Sequence, residues 1–320
     1  MTPTLPARRK DLLDIESLSV EEIHALLDTA KPMKVGFTRS VKKFPALRGR
    51  MVLNLFYEPS TRTRTSFEIA AKRLSADVTN FAIAQSSVVK GESILDTIDT
   101  LQAMKVDYMI VRHGASGVPH YIARHTKASV INAGDGNHAH PTQALLDAFT
   151  MREAVGSFEG RRIAIVGDIL HSRVARSTSN IMHKLGVEVG VYGPATLVPS
   201  TRPRWARGFA DFDEVLAWKP DVIYLLRLQM ERMQSNFFPS MREYHQVYGV
   251  TRDRFRVLRD QGVHVMHPGP VNRGVELCDD VMSYERSLIN QQVENGVAVR
   301  MAILYSLQPA VEPRSEEDAS

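Results

Sequence analysis

The densest chemistry in this sequence is the run Glu58-Pro-Ser-Thr-Arg-Thr-Arg-Thr65. It follows a short apolar stretch, Met51–Phe56, and precedes a helical pattern with Phe67, Ala70, Ala71 and Leu74 on one side. A polar loop between a strand and a helix presents unbonded backbone N–H groups at a helix start, where an anion is attracted. The hydroxyls of Ser60, Thr61 and Thr63 can donate to phosphate oxygens, and Arg62 can hold two oxygens at once. The full run reads as a phosphate site. A shorter Ser-Thr-Arg would read as a helix cap with solvated arginines.

Six further clusters stand near it in the chain's chemistry. Gln85-Ser-Ser-Val-Val-Lys-Gly-Glu-Ser93 carries Ser86 and Lys90 in a loop that, in isolation, is solvated surface. Arg112 ends an apolar run beginning at Tyr108. Gly134-Asp-Gly-Asn-His-Ala-His-Pro-Thr-Gln-Ala-Leu-Leu-Asp147 holds His138 and His140 two apart, a weak zinc signal without a nearby third ligand. Gly167-Asp-Ile-Leu-His-Ser-Arg173 follows a strand pattern but lacks the further glycines that let a backbone approach a pyrophosphate. Arg227 and Gln229 are two apart and point the same way in an extended segment. In His267-Pro-Gly-Pro-Val-Asn-Arg-Gly-Val-Glu276, Pro268 and Pro270 remove backbone donors and stiffen the turn, leaving an acceptor-rich wall around Gly269.

The elements that must position these residues alternate between short apolar runs and longer amphipathic stretches, an order that predicts parallel sheets in an α/β fold. Strands are expected at 51–56, 108–111, 129–132, 162–166, 187–192, 222–226 and 263–266, and helices over 66–74 and from Pro141 to about Ala154. The loops opening at Glu58, Arg112, Gly167, Arg227 and His267 all lie beyond strand ends, where open α/β sheets bind ligands. The break Gly156-Ser-Phe-Glu-Gly160 marks a boundary between two domains, each a parallel sheet flanked by helices: about 1–150, completed by a C-terminal helix about 287–306, and about 151–286. The tail 307–320, rich in Pro, Glu, Asp and Ser, is expected to be disordered. With 320 residues, 43% hydrophobic content and a formal net charge of +4 spread along the chain, neither nucleic acid nor membrane is an expected partner. The single cysteine, Cys278, suits a reducing, cytoplasmic compartment.

Over about Leu13 to Tyr305 the sequence resembles the aspartate and ornithine carbamoyltransferases, and the aspartate branch more closely. The resemblance implies carbamoyl transfer to the α-amine of L-aspartate, giving N-carbamoyl-L-aspartate and phosphate in pyrimidine biosynthesis, with no metal or organic cofactor. In that family Ser60, Thr61, Arg62 and Thr63 match the holders of the phosphate and carbonyl oxygen, with Arg64 and Glu68 in support. Ser86 and Lys90 match a loop that enters the neighbouring subunit's site in a homotrimer. Arg112 matches the arginine on the carbamoyl oxygen and phosphate, His140 the group polarising the carbonyl, Gln143 the group near the amide nitrogen, and Pro268 and Gly269 the loop receiving the carbamoyl NH₂. Arg173 matches a reader of the aspartate α-carboxylate, and Arg227 with Gln229 the readers of its side chain. Ornithine enzymes typically carry cysteine where Pro268 stands, and a cationic ornithine side chain would be repelled by Arg227. The wording around His138 and His267 resembles relatives that associate with dihydroorotase or its inactive relative. Rival readings are an ornithine enzyme, a nicotinamide dehydrogenase and a non-catalytic paralogue acting as a scaffold.

Overall fold

The computed structural model describes residues 9–82, 93–228 and 240–307. The chain forms two compact units, Met1–Thr142 together with Gly296–Ser320, and Gln143–Asn295. In chain order the first stretch runs α1 (Val20–Val35), β1 (Met51–Phe56), α2 (Thr61–Arg73), β2 (Asp77–Ala82), α3 (Ile94–Ala103), β3 (Tyr108–His113), α4 (Val118–Arg124), β4 (Ser129–Asp135) and α5 (Pro141–Val155). The rest runs β5 (Arg162–Val166), α6 (Arg173–Lys184), β6 (Glu188–Tyr192), β7 (Ala206–Gly208), α7 (Phe212–Ala217), β8 (Val222–Leu225), α8 (Met241–Val247), α9 (Arg252–Asp260), β9 (His264–Met266) and α10 (Ile289–Ser306). The expected α/β class of two parallel sheets flanked by helices is what the structure has.

The first sheet has the order β2-β1-β3-β4, with parallel pairings throughout. Its central strands are buried along their middle residues on both faces, which is why β1 and β3 read as mostly apolar rather than alternating, with Asn54 of β1 bonded to Asn80 of β2. Leu53, Leu55, Met109, Val111 and Val130 pack with Ile98, Leu101 and Ile122 from the helices. Part of this unit comes from the far end of the chain: Val299, Met301, Ala302, Ile303 and Leu304 of α10 are fully buried. Arg300 donates to Ser66 Oγ at 3.0 Å and lies over the Phe67 ring, 5.1 Å from its centroid. Complete burial of Phe67 contributes about 1.5–3 kcal/mol.

The second sheet has the order β7-β6-β5-β8-β9, again all parallel. Its core joins Ala164, Val166, Ile223, Leu225 and Val265 to Phe212, Phe255, Leu258 and Val281. One device fixes strand register in both sheets. Asp107, just before β3, accepts from Arg50 Nη1 at 2.6 Å and Met51 N at 2.8 Å. Asp221, just before β8, accepts from Arg161 Nη1 at 2.8 Å and Arg162 N at 2.9 Å. In each case a carboxylate at the start of one strand clamps the arginine and backbone that open its neighbour.

Candidate active site

Each sheet reverses its strand order at one place, and ligand crevices in open α/β sheets form beyond the carboxyl ends of the strands at such a switch point. In the first sheet the chain steps from β1 outward to β2 and then returns to add β3 on the other side. The loops after β1 and β3 are therefore neighbours: Phe56 is in register with Arg112, and Tyr57 N donates to Arg112 O at 2.8 Å. These are the loops that carry Glu58–Thr63 and Arg112.

The expected loop 58–65 is in fact largely helix. α2 begins at Thr61, with Ser60 as its extended N-cap residue, and Arg64 N closes the first turn on Ser60 O at 3.2 Å. Ser60's hydroxyl makes no cap bond. The amides of Thr61, Arg62 and Thr63 have no intrahelical acceptor, as in any first turn, so the anion-binding character assigned to the loop belongs to the helix start itself. Thr63 is buried, whereas Thr61 and Arg62 are exposed. Glu68 accepts from Lys72 at 2.6 Å and from Asn80 at 3.1 Å, and these bonds hold its carboxyl below the usual range. Arg112 lies 3.5 Å from Glu58 Oε2 through its Nε, and its Nη1 donates to Ala133 O at 3.2 Å.

His140 comes to the same edge through a tight loop after β4. Asp135 is fully buried and collects Gly117 N at 2.7 Å, Asn132 Nδ2 at 2.8 Å and Ala139 N at 3.1 Å, with His138 Nδ1 at 3.1 Å. Gly136, at φ +43°, bonds back to His113 O at 3.0 Å; a Cβ there would meet Ser116. His140 follows, 4% exposed, with Nδ1 3.5 Å from the Thr142 hydroxyl. Among the described residues, His120, Asp135 and His138 are the one trio with ligand atoms close enough for a metal, within 4.8 Å of one another. His120 Nε2 is 2.9 Å from Asp14 Oδ2. The carboxylate of Asp135 is already the acceptor that closes the loop and takes up His138, while His120 is paired with Asp14. His138 and His140, the pair suggested by spacing, make separate contacts, with Asp135 and Thr142 respectively.

In the second sheet the switch lies between β5 and β8. Gly167, at φ +129°, ends β5 where a Cβ would come 3.0 Å from Leu226 Cβ, so glycine here serves strand packing. The strand order is that of a dinucleotide-binding sheet, yet the loop turns on Asp168, which accepts from His171 N at 3.0 Å. Arg173 opens α6, 3% exposed, just after the N-cap Ser172, whose hydroxyl accepts from Ala175 N at 3.1 Å. Arg227 follows β8 and is half-buried. Its neighbour Leu228 is fixed by a bond from its N–H to Glu276 Oε1 at 3.0 Å. Ser86, Lys90 and Gln229 lie outside the described residues.

The wall after β9 has the polarity its prolines suggest. Between Pro268 and Pro270 the one amide, Gly269 N–H, is turned onto His267 Nδ1 at 2.9 Å, and the Gly269–Pro270 bond is cis. Its carbonyls are left as the loop's hydrogen-bonding groups. Glu276 is 2% exposed and accepts from Asn272 N at 2.6 Å and Asn272 Nδ2 at 2.7 Å besides Leu228 N, with His267 Nε2 3.6 Å away. Gln143 stands on the first turns of α5, with its Nε2 donating to Asp147 Oδ1 at 3.0 Å. Glu276 and Asp147 carry no role in the sequence reading; each is an acid flanked by apolar residues in a motif quoted for other members. A cavity of about 650 Å³ lined by Arg161, Lys219, Asp221, His264 and Arg286 sits at the opposite, amino ends of these strands.

Residues 10–153 match the carbamoyl-P binding domain of the aspartate/ornithine carbamoyltransferases, and residues 159–307 match their Asp/Orn binding domain. The chain belongs to the aspartate/ornithine carbamoyltransferase family. It is 66% identical, over 94% of its length and 97% of the relative's, to an aspartate carbamoyltransferase catalytic subunit of Akkermansia muciniphila. A protein of the same description from Desulfitobacterium hafniense is 56% identical over 93% of the chain and 96% of the relative. Among solved structures, the Trypanosoma cruzi aspartate transcarbamoylase in complex with N-(phosphonacetyl)-L-aspartic acid superposes with a TM-score of 0.84 at 30% identity, covering 96% of this chain and 98% of that one. The catalytic subunit of M. Jannaschii aspartate transcarbamoylase gives 0.79 at 32%, covering 93% and 97%.

Proposed function

We propose that this chain is an aspartate carbamoyltransferase, joining carbamoyl phosphate and L-aspartate to form N-carbamoyl-L-aspartate and phosphate in pyrimidine biosynthesis. The observation that carries the proposal is the Ser60–Thr63 turn, set at the first sheet's switch point with Arg112 on the adjoining strand end. The names of the relatives favour aspartate over ornithine as acceptor, as do Arg227 and Pro268.

In this reading Ser60, Thr61, Arg62, Thr63 and Arg112 hold the phosphate, with Ser86 and Lys90 brought from a neighbouring subunit of a homotrimer. The neutral α-amine of aspartate attacks the carbamoyl carbon, and the tetrahedral oxyanion is met by Thr63, Arg112 and His140. The carbon–oxygen bond to phosphate then breaks, and the amine proton leaves with the phosphate. His140 acts through Nε2, its Nδ1 being turned to Thr142. Gln143 and the carbonyls of the Pro268–Gly269 wall receive the carbamoyl NH₂. Arg173 takes the α-carboxylate of aspartate, while Arg227, Gln229 and Lys90 take its side chain. Holding both reactants in reach supplies much of the rate. Written this way, the chemistry requires no metal or organic cofactor.

We place the enzyme in the cytoplasm, with dihydroorotase or its inactive relative as the outside partner. Among the described residues no helix is long and apolar enough to cross a membrane. Phosphate release and ureido product, measured with aspartate and with ornithine side by side, test the assignment. Turnover with aspartate alone is expected; faster turnover with ornithine, or none with either, overturns it.

A further inference from the structure

Asp147 is an acid with no access to solvent, on the second turn of α5. Four donors converge on it: Gln143 Nε2 at 3.0 Å and Gln292 Nε2 at 2.8 Å on Oδ1, and Tyr224 OH at 2.7 Å and Thr178 Oγ1 at 3.1 Å on Oδ2. An ionised carboxylate offers about four lone-pair sites and no hydrogen, so every site is filled and every partner must donate. Both glutamine amides are therefore turned with nitrogen toward Asp147 and oxygen away from it. The oxygen of Gln292 is in use, accepting from His267 N at 2.9 Å, and His267 Nδ1 in turn takes Gly269 N–H at 2.9 Å.

We propose that Asp147 is a positioning residue that sets the polarity of the carbamoyl-amide pocket, fixing Gln143 and, through Gln292 and His267, the Pro268–Gly269 wall so that both present acceptors to the NH₂. This rests on the proposed reaction. The hydrogen-bond chain accounts for a buried charge where a leucine would pack: an apolar residue would leave Gln143 able to turn over and aim its NH₂ at the carbamoyl NH₂, and would leave Gln292 held at its oxygen alone, by His267 N–H. Burial pushes the Asp147 carboxyl up to about 6, against the lowering effect of its hydrogen bonds. Below that pH the added proton can sit on Oδ2 and be accepted by the Tyr224 or Thr178 hydroxyl, leaving Oδ1 as the acceptor for both glutamines.

The two oxygens differ in what they tolerate. Tyr224 and Thr178 are hydroxyls and can reverse from donor to acceptor, so an Asn at this position can keep its oxygen on the glutamines and its NH₂ on the hydroxyls. Asp147→Asn should preserve the amide polarity, whereas Asp147→Leu should not. Inorganic phosphate, which has no NH₂, separates positioning from general damage. Dissociation constants for carbamoyl phosphate and phosphate, measured by calorimetry on the intact enzyme, give the ratio to follow. Asp147→Leu should lose about tenfold in carbamoyl phosphate with less than a twofold change for phosphate, and Asp147→Asn should recover the ratio to within about threefold. Should Asp147→Leu fail to fold, Gln292→Met, which removes both a donor to Asp147 and the acceptor of His267 N–H, should still lower the preference for carbamoyl phosphate over phosphate. Equal losses for both ligands or an unchanged ratio would overturn the role of Asp147. A wild-type enzyme that does not prefer carbamoyl phosphate to phosphate would instead overturn the proposed reaction.

Discussion

Glu276→Gln is a one-atom change whose cost follows from which donors face each oxygen. On one side stand Leu228 N–H and the Asn272 side chain, on the other Asn272 N–H. An amide has one oxygen and one NH₂, and here both sides carry a backbone donor that cannot reverse. Whichever way the new side chain turns, one buried N–H faces another donor. Losing a hydrogen bond to a charged acceptor costs about 1.5–3 kcal/mol, and weakening the bonds that remain brings the total to about 3 kcal/mol. In a unit of about 150 residues that corresponds to a fall in Tm of about 6–12 °C. Because Leu228 adjoins Arg227, the aspartate KM should rise together with the loss of stability. Scanning calorimetry and initial rates over a range of aspartate measure both. Replacing a buried charge can also be neutral or stabilising when its bonds are poor. A Glu276→Gln enzyme that melts within about 1 °C of wild type would mean that the donors around Glu276 do not hold the loop.

Arg62→Ala should weaken carbamoyl phosphate and inorganic phosphate alike, by about 10-fold to 150-fold, through loss of a charge-assisted contact; unchanged phosphate inhibition would remove Arg62 from the site. Arg227→Ala should raise the aspartate KM over a similar range of about 10-fold to 150-fold and leave carbamoyl-phosphate binding within about twofold, and equal losses in calorimetry would show the assignment to be wrong. Inactive Lys90→Ala and His140→Ala proteins, dissociated, mixed and reassembled, should regain part of the activity, since a cyclic interface then pairs some intact loops with intact pockets. Verified hybrids no more active than their parents would put Lys90 in its own chain's site.

The strands legible in the sequence are those with two buried faces. β1, β3, β5 and β8 stand out as apolar runs because both sides of each must be covered. β2 and β7 escape notice because, unlike the edge strands β4 and β9, neither is an apolar, buried run. In Asp77-Val-Thr-Asn-Phe the residues are exposed or half-buried, and Ala206-Arg-Gly208 is three residues long with none buried. β4 continues to Asp135, beyond the expected 129–132, because Asn132 and Asp135 are buried polar residues that satisfy each other. The site's basic and hydroxyl members could be picked out because their types announce anion chemistry. The inward-facing acids could not: Asp147 and Glu276 act by collecting donors from segments remote in sequence, such as Gln292 and Leu228, and no local pattern reports those partners.

The interleaving of the two units has a consequence for how the protein is made. Gln143–Asn295 is one continuous stretch, so everything it needs has been synthesised once residue 295 has been added. The first unit, although begun earlier, also draws on the described residues from Gly296 to Leu307. Until α10 is added, the surface that receives Ile303 and Leu304 has no cover, Phe67 lacks the guanidinium above it, and Tyr108 has no carbonyl of Leu307 to meet its hydroxyl. Domains usually mature on the ribosome in the order they are translated. Here the order is reversed: the half begun first is the last to close, and a nascent chain must keep its apolar surface from aggregating while the second half is being built.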